Sequence, residues 1–562
     1  MSKVLTLLNP REARRYYDEG VWRNDTFYSL LLQHSTVRPQ AFALRDARVR
    51  LTWRELRAWV DTVAEHFHRA GLRSGERVAV WLPSRAESVV TLLACARNGY
   101  VCSPSLHQSY TVAEIVQLLE RSRAAALIVK RRYGADASKS DVVAAARSLP
   151  FVKAICCVAG DDADTSATPY PAPIPALQSS IPPDDDPDRV VYLAFTSGTT
   201  GTPKGVMHSH NTLLANGRAM VEDWHHGHRT ILLSLSPTSH HIATVAIEQM
   251  LAGGFELAVN DPPAGMKPLD WIMETAATYV MGVPTHAIDV LADMRRRGLD
   301  KMGNVRLFYM AGAPIPAEVA RSFLGMGITP QNIYGMTENG SHQYTRPGDD
   351  AATIVETCGH AANGYETRIF DQQNPDVELP HGQLGEIATR GALLMLGYFD
   401  NQLATESSFN RDGWFLSGDL GTLDDRGCLR ILGRKKDLII RGGHNIHPAR
   451  IEDLAHRHPA VQKAAAFGVP DERLGEKVCL ALIVRDGERV SAEAMLDHLH
   501  AAGLSKYDMP EYFLQMDVFP LTASGKILKR ELIEWAKSGR IAPQPVRWVD
   551  PAKASLDKGA VN

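Results

Sequence analysis

Short apolar runs alternate with amphipathic segments along the chain as far as residue 310. The run at 189–195 (RVVYLAF) is rich in β-branched and aromatic residues, which is typical of a buried strand. Similar runs predict strands at 76–82, 100–105, 124–129, 230–235, 256–259, 279–283 and 306–310. Helices are predicted at 85–98, 112–122, 212–220, 245–251, 269–278 and 285–296. This alternation predicts doubly wound α/β layers.

Other stretches have different patterns. Thr52 and Glu55 have capping-box spacing before an amphipathic segment, which predicts a helix that begins there. Residues 160–187 are rich in Asp, Pro, Ser and Ala and indicate a surface excursion or linker. Short strands and glycine turns at 366–432 predict a small β subdomain, and 437–548 predict a compact α+β segment. The predicted fold class is therefore α/β, with a large N-terminal part and a small α+β C-terminal part.

The strand at 189–195 is followed by ten residues with three glycines and five hydroxyl side chains, Thr196-Ser197-Gly198-Thr199-Thr200-Gly201-Thr202-Pro203-Lys204-Gly205. Glycines let a backbone approach a ligand closely, and hydroxyls with free N–H groups can bind an anion. The segment is therefore a candidate phosphate cradle, although it lacks the usual P-loop pattern. A plain surface turn explains the same composition about equally well.

Two later segments follow predicted strands. Gly312 lies two residues after the strand at 306–310, where an open α/β sheet binds ligands and a glycine permits the approach of a flat ring. Tyr334, Thr337 and Glu338 offer an aromatic ring, a hydroxyl and a carboxylate that can hold Mg²⁺. An ordinary strand-to-helix turn and a solvated loop are the alternatives for these two segments.

Charged residues in glycine turns are a third type of candidate. Asp419 in GWFLSGDL can accept both hydroxyls of a ribose, since an ionised carboxylate only accepts hydrogen bonds. Arg434 and Lys436 lie in GRKKD, and Lys526 lies in LTASGKI before a predicted helix. A capped turn and a solvated lysine are the alternatives, because lysines are mostly exposed.

Bulk properties narrow the class of protein. A chain of 562 residues is too long for one core. A net charge of −3 leaves no basic excess for a nucleic-acid partner. Seven cysteines without a Cys-x-x-Cys pair suit a reducing compartment and give no metal-site signal. With no signal-peptide pattern and no apolar run of membrane-spanning length, we expect a cytoplasmic protein without membrane association.

Taken in order, the motifs between residues 196 and 527 resemble those of the adenylate-forming superfamily. This superfamily includes acyl-CoA synthetases, aryl-acid ligases, peptide-synthetase adenylation domains and luciferases. The pattern is most similar to cyclohexanecarboxylate–CoA ligases and 2,3-dihydroxybenzoate–AMP ligases. The resemblance implies an AMP-forming carboxylic acid–CoA ligase that uses ATP, Mg²⁺ and coenzyme A.

The resemblance also implies roles for individual residues. Catalytic roles fall on Lys526, Thr337, Glu338 and Lys204, with Glu338 also the Mg²⁺ ligand. Nucleotide-binding roles fall on Thr196, Ser197, Gly198, Thr199, Thr200, Gly201, Gly312, Ala313, Pro314, Tyr334, Gly335, Asp419 and Arg434. The acyl pocket is implied near His240, His241, Met281, Gly282, Ala311 and Gly340.

Two domains are implied as well. Residues 1–435 correspond to the adenylation domain, and 436–562 to a small mobile domain that carries the catalytic lysine. Lys436 corresponds to the hinge between them, and Gly442 and Gly443 border the coenzyme A tunnel. The expected partners are the small-molecule acid, ATP and coenzyme A, and a homodimer is one alternative for an oligomeric state that the sequence leaves open.

The acid is less well defined than the reaction. Dihydroxybenzoate ligases carry His-Asn where this chain has His240-His241, and that Asn recognises a ring hydroxyl. We therefore expect a cyclic, aromatic or other bulky hydrophobic acid. Loading of a carrier protein's phosphopantetheine arm and a luciferase-type oxidative reaction are the alternatives. A noncatalytic binding module is disfavoured, because Lys526, Glu338 and Asp419 are all present.

Overall fold

The computed structural model of the protein describes residues 5–158, 168–175, 177, 179–196, 203–313, 315–522 and 525–548. In chain order the helices are α1 (Pro10–Asp18), α2 (Phe27–Val37), α3 (Trp53–Arg69), α4 (Ala86–Asn98), α5 (Val112–Ser122), α6 (Val142–Arg147), α7 (His210–Asp223), α8 (His241–Gly253), α9 (Pro268–Glu274), α10 (Pro284–Arg297), α11 (Ala317–Gly325), α12 (Ala351–Glu356), α13 (Gln402–Glu406), α14 (Pro448–His456), α15 (Ala492–Ala501) and α16 (Lys529–Lys537). A single 3₁₀ turn covers Lys435–Asp437.

The strands, again in chain order, are β1 (Phe42–Arg45), β2 (Arg50–Thr52), β3 (Arg77–Trp81), β4 (Val101–Ser103), β5 (Ala124–Val129), β6 (Ala154–Cys157), β7 (Thr168–Pro169), β8 (Val190–Thr196), β9 (Lys204–Ser209), β10 (Ile231–Ser234), β11 (Glu256–Val259), β12 (Tyr279–Gly282), β13 (Leu307–Met310), β14 (Thr329–Met336), β15 (Gly340–Tyr344), β16 (His360–Ala361), β17 (Tyr365–Phe370), β18 (Gly385–Gly391), β19 (Phe415–Leu423), β20 (Leu429–Arg434), β21 (Ile439–Arg441), β22 (His444–Ile446), β23 (Val461–Asp471), β24 (Gly475–Val484), β25 (Tyr512–Gln515) and β26 (Gln544–Pro545).

Two large sheets organise the N-terminal part. The first has the strand order β16-β15-β14-β13-β12-β10-β11-β1-β2 and is parallel from β14 to β1. The second has the order β7-β6-β5-β3-β4-β8-β9, and only its β8–β9 pair is antiparallel within the described strands. Helices α7 and α8 pack against each other, with α8 on β10, β11 and β12 and α7 on β9. This confirms the doubly wound α/β layers.

Two smaller sheets complete the fold. Strands β17 to β20 form an antiparallel meander, as the pattern at 366–432 predicts. The C-terminal sheet has the order β22-β21-β24-β25-β26, with β23 paired to β24. Helices α14 and α15 share an apolar core with this sheet, centred on buried residues such as Ile451, Leu480 and Leu499. The C-terminal part therefore has its own core, as the predicted α+β segment requires.

The start of α3 agrees with its sequence signal. The Thr52 hydroxyl accepts from the Glu55 backbone N–H at 3.3 Å, and the Glu55 carboxylate accepts from the Thr52 backbone N–H at 2.8 Å. Both groups therefore satisfy donors that the first helical turn would leave unpaired.

Strand β9 differs from the prediction. The sequence pattern indicates a loop that leads to a helix at residue 212, whereas Lys204–Ser209 pairs antiparallel with β8 and α7 begins at His210. The polar residues Lys204, His208 and Ser209 make β9 unlike an apolar strand in sequence. The strand forms because its backbone pairs with β8. The candidate phosphate cradle is therefore the connection of a hairpin.

Candidate active site

Asp419 is the centre of one hydrogen-bonded group. Its Oδ2 accepts a hydrogen bond from the Tyr334 hydroxyl at 2.9 Å, and its Oδ1 lies 2.9 Å from Nε of Arg434. Pairing of β19 with β20 puts Asp419 directly opposite Arg434, and the Asp419 charge raises the pKa of Arg434. The fold thus brings together three predicted nucleotide-binding residues around an acceptor that suits ribose hydroxyls.

Glu338 lies in a second group, after the end of β14. Its Oε1 accepts from the Tyr398 hydroxyl at 2.9 Å, and the Lys204 ammonium lies 4.7 Å from the centroid of the Tyr398 ring. Burial raises the pKa of Glu338, while the Tyr398 hydrogen bond and the Lys204 charge oppose that rise. Mg²⁺ is usually held by one or two carboxylates together with substrate phosphates, so this oxygen-donor set fits the ion.

Thr337 is fixed through its backbone. Its carbonyl oxygen lies 2.7 Å from Nε2 of His208, whose Nδ1 is 3.0 Å from the Thr212 hydroxyl. Burial lowers the pKa of His208 to about 4, so the ring is neutral at neutral pH. A carbonyl only accepts hydrogen bonds, so Nε2 carries the proton and Nδ1 accepts from Thr212.

Lys526 reaches the end of β13 from the C-terminal part of the chain. Gly312 has φ +88°, and a Cβ added there would lie 2.6 Å from Lys526 Cε and 3.0 Å from its Nζ. Any side chain at 312 would therefore displace the lysine, and the positive φ also favours glycine. Burial and the Arg434 charge lower the pKa of Lys526 to about 8, while Asp419 and Glu338 act in the opposite direction. One ammonium thus lies near both acidic groups of the site.

The turn before Lys526 contacts the N-terminal part directly. The Thr285 hydroxyl donates to the Gly525 carbonyl at 2.7 Å, and the Thr522 hydroxyl accepts from the Lys526 backbone N–H at 3.0 Å. A second contact joins Lys463 of β23 to Asp289 of α10, with Nζ 2.9 Å from Oδ1. These contacts hold the C-terminal part with its lysine inside the site.

The predicted acyl-pocket positions lie around α8 and the ends of β12 and β13. His240 caps α8 and has its pKa lowered by burial and by the Lys526 charge. His241 is buried, and its ring stacks on His208 at a centroid distance of 5.6 Å. Gly340 has φ +62° and would bring an added Cβ to 2.7 Å from the Asn216 amide oxygen. Met281 and Gly282 are the last two residues of β12, and Ala311 directly follows β13.

Some predicted positions lie elsewhere or are not described. The described residues do not include Ser197, Gly198, Thr199, Thr200, Gly201 and Pro314. Thr196 and Lys204 flank the first five and form a register pair of the β8–β9 hairpin, while Ala313 follows Gly312. Lys436 lies in the 3₁₀ turn after β20, and the Arg434 charge helps burial to lower its pKa. Gly442 and Gly443 form the exposed turn between β21 and β22, outside the group around Asp419 and Glu338.

Comparison with known proteins adds a family assignment to this geometry. The family model described as AMP-binding enzyme matches residues 31–399, and the model for the C-terminal domain of AMP-binding enzymes matches residues 450–526. The chain belongs to the AMP-binding enzyme family. No helix among the described residues of this AMP-binding enzyme is long and apolar enough to cross a bilayer.

Individual relatives match along nearly their whole length. A feruloyl-CoA synthase from Amycolatopsis sp is 32% identical, over 91% of this chain and 99% of the relative. A medium-chain fatty-acid–CoA ligase from Escherichia coli (strain K12) is 29% identical, over 94% and 93%. The crystal structure of ATP-bound MatB from Rhodopseudomonas palustris is 28% identical with a TM-score of 0.77, over 92% of this chain and 100% of that one. These matches confirm the resemblance to the adenylate-forming superfamily and the AMP-forming acid–CoA ligase that uses ATP, Mg²⁺ and coenzyme A.

Sequence reasoning missed several partners of this AMP-binding enzyme's site residues. His208 was hidden because β9 was not predicted; the period of a strand would have placed it on the same face as Lys204. Tyr398 is 60 residues from Glu338 in the sequence, yet its hydroxyl donates a hydrogen bond to the Glu338 carboxylate. Asn216, which packs against Gly340, carries no local sequence signal.

Proposed function

We propose that this AMP-binding enzyme is an acyl-CoA synthetase for a cyclic, aromatic or other bulky hydrophobic acid. It adenylates the acid with ATP, transfers the acyl group to coenzyme A, and releases AMP and pyrophosphate. The observation that carries the proposal is the contact of Lys526 with Gly312, beside Asp419 and Glu338. In support of the proposal, the ammonium of a lysine from the C-terminal part lies beside residues that suit a nucleotide.

ATP would lie along the ends of β13 and β14. Asp419 and Arg434 would hold the ribose hydroxyls, Tyr334 would contact adenine, and Gly312 with Ala313 would border the ring. Thr196 to Gly201, with Pro203 and Lys204 after them, would cradle the phosphates as a glycine-rich hairpin connection. Glu338 would hold Mg²⁺, which neutralises phosphate charge when it is bound.

In the first step a carboxylate oxygen of the acid attacks the α-phosphorus of ATP. The bond from that phosphorus to the bridging oxygen breaks, and pyrophosphate leaves with the electron pair. Lys526 lies where negative charge develops on the α-phosphate and bridging oxygens, and Thr337 would donate to an α-phosphate oxygen. A preorganised ammonium at that place lowers the barrier by roughly 2–4 kcal/mol.

In the second step the thiolate sulfur of coenzyme A attacks the acyl carbonyl carbon, and AMP leaves. Lys526 occupies the site only while the C-terminal domain, proposed as residues 436–562, is docked on residues 1–435. A pivot at Lys436 would withdraw Lys526 and bring the Gly442–Gly443 turn to the site as one wall of the pantetheine tunnel. That turn is exposed in the docked arrangement, so it is free to form a new contact.

The acyl pocket supports a bulky acid. Met281, Gly282 and Ala311 are apolar or small, which suits an apolar acid, and His240 lies near Lys526. The feruloyl-CoA synthase among the relatives bears a name that fits an aromatic acid, and the medium-chain ligase bears one that fits an extended apolar acid.

Mass spectrometry of products tests the proposal. Purified protein is incubated with ATP, Mg²⁺ and a panel of aliphatic, alicyclic and aromatic acids, with and without coenzyme A. We expect acyl-CoA, AMP and pyrophosphate from ring-containing acids. Formation of acyl-adenylate without a thioester would indicate that a carrier protein, rather than coenzyme A, accepts the acyl group. Release of no AMP with any acid would contradict it.

A further inference from the structure

Glu248 is a completely buried acid in helix α8. Among the described residues, neither of its carboxyl oxygens has a hydrogen-bond partner. Burial raises the pKa of Glu248 well above its ordinary value, which favours the neutral carboxylic acid. Leaving a buried polar group unpaired costs free energy, and such groups in native proteins call for a specific explanation.

Glu248 lies on the same face of α8 as His241, one of the predicted acyl-pocket residues. His241, Thr244 and Glu248 are spaced i, i+3 and i+7, so they lie on one face of the helix. The Tyr192 hydroxyl lies 3.3 Å from Nδ1 of His241 and 3.2 Å from the Thr244 hydroxyl. Burial raises the pKa of Tyr192, and the ionised form of Glu248 would add to that rise. The carboxyl group therefore lies near the same tyrosine, one turn beyond Thr244.

A second set of contacts involves residues of α7, β13 and β15 around Glu248. Burial raises the pKa of Tyr309, the ionised form of Glu248 would add to that rise, and the Tyr309 hydroxyl is 2.7 Å from the Ser341 hydroxyl. The Asn216 amide bonds both backbone groups of Ser341 at 2.9 Å. A Cβ added at Gly217, the next residue, would lie 2.7 Å from the Glu248 Cβ. Glu248 is therefore enclosed between α7, β8 and β13, behind the Gly340–Ser341 segment.

His208 lies between the Thr337 backbone and His241 of the helix that carries Glu248. His208 contacts the Thr337 carbonyl at 2.7 Å and stacks on His241 with rings 17° from parallel. Nε2 of His241 is buried and also lacks a partner among the described residues. Seven residues of helix separate His241 from Glu248, a rise of about 10 Å. Glu248 thus lies about two helical turns beyond His241, a distance of roughly the length of a substituted ring.

We propose that Glu248 is a specificity-determining residue that pairs with a hydroxyl or amino group at the far end of the acyl chain. The inference rests on the proposed function and narrows its acid to a cyclic or aromatic acid with a distal hydrogen-bond donor. A neutral carboxyl group accepts at its carbonyl oxygen and donates from its hydroxyl, so a substrate hydroxyl satisfies both. A plain hydrocarbon end would leave Glu248 unpaired, and sites of this kind discriminate strongly against such analogues.

Matched acids test this inference through ATP–pyrophosphate exchange. Cinnamate is compared with its 4-hydroxy and 4-amino derivatives, and cyclohexanecarboxylate with its 4-hydroxy derivative. We expect wild-type kcat/KM to favour the substituted member of each pair by at least tenfold, mainly through KM. Glu248→Leu should reverse the preference by raising kcat/KM for the plain acid, a gain that misfolding cannot produce. Glu248→Gln should keep the preference for the hydroxy acid.

Glu256→Gln is the control. Glu256 is a buried acid that pairs with Arg50 at 2.7 Å, away from the pocket, and its substitution should leave the preference ratio unchanged. Equal kcat/KM for both members in the wild type, or equal losses for both in Glu248→Leu, would overturn the inference alone. Exchange with none of these acids, despite ATP binding, would instead overturn the proposed acid class and this inference with it.

Discussion

Lys526 illustrates how single residues of this site depend on their surroundings. A lysine in a glycine turn is ordinarily a solvated charge, yet here it lies against Gly312 with its pKa lowered to about 8. Burial is the main cause, and the Arg434 charge adds to it. The ammonium form is the one that can stabilise negative charge on phosphate, so we expect the rate of adenylation to follow the protonation state of Lys526.

The pH dependence of adenylation follows from this lowered pKa. Lys526 is charged below about pH 8 and loses its proton above that value, so kcat/KM for ATP–pyrophosphate exchange should fall as pH rises through about 8. In Lys526→Arg the rate should be lower but the alkaline decline should be absent up to about pH 10, since Arg remains protonated. The same alkaline decline in both proteins would assign it to another group.

At the scale of secondary structure, the β14–β15 hairpin determines the position of Glu338. Glu338 follows β14, and the return strand β15 begins at Gly340, so the two strands fix the position of the carboxylate. A Cβ added at Gly335 would lie only 1.8 Å from the Gly340 carbonyl oxygen. The hairpin therefore needs a glycine at 335 for close packing of backbone, although the φ of this residue is not positive.

Gly335→Ala should lower stability and nucleotide binding together. The methyl group must push β14 and β15 apart, a cost of about 1–3 kcal/mol for overpacking against backbone. Thermal unfolding and ATP affinity measure the two effects. Gly325→Ala in α11 is the control, because an added Cβ there meets nothing within 4 Å and alanine favours helix. Equal melting temperatures for the two variants would contradict the assigned role of Gly335.

The 3₁₀ turn Lys435–Asp437 is the element that the hinge proposal concerns. Lys436→Pro fixes φ near −65°, so a pivot at this residue would be blocked. We expect thioester formation from supplied acyl-adenylate to fall at least tenfold while ATP–pyrophosphate exchange changes less. Lys436→Ala, which leaves φ free, should retain both activities. Unchanged overall turnover in Lys436→Pro would count against the hinge.

The sequence predicted much of this fold, and the reasons differ between elements. Strands buried in parallel sheets are continuous apolar runs, so β3, β5 and β12 were recognisable locally. Strand β9 was not recognisable locally, because its sequence contains several polar residues and its strand conformation depends on pairing with β8. Asp419, Glu338 and Lys526 were found through motifs, but Tyr398, His208 and Glu248 depend on contacts between distant segments. Such contacts carry no signal in a single sequence.

At the scale of the whole molecule, the C-terminal part docks so that its lysine completes the site. The Thr285–Gly525 hydrogen bond and the Lys463–Asp289 ion pair hold this arrangement, while the Gly442–Gly443 turn remains exposed. Under the proposed mechanism, the two half-reactions use different positions of the C-terminal part. Substitution of a residue that contacts the site in only one position of the C-terminal part should therefore slow only one of the two half-reactions.

Separate measurement of the two half-reactions in Lys526→Ala tests this central claim most directly. ATP–pyrophosphate exchange should fall by about a hundred- to a thousandfold, because a preorganised charge is lost. Acyl-CoA formation from supplied acyl-adenylate should remain near the wild-type rate. Lys529→Ala is the control, since Lys529 pairs with Glu452 at 2.6 Å outside the site and its loss should spare both steps. Equal losses of both half-reactions in Lys526→Ala would contradict the account.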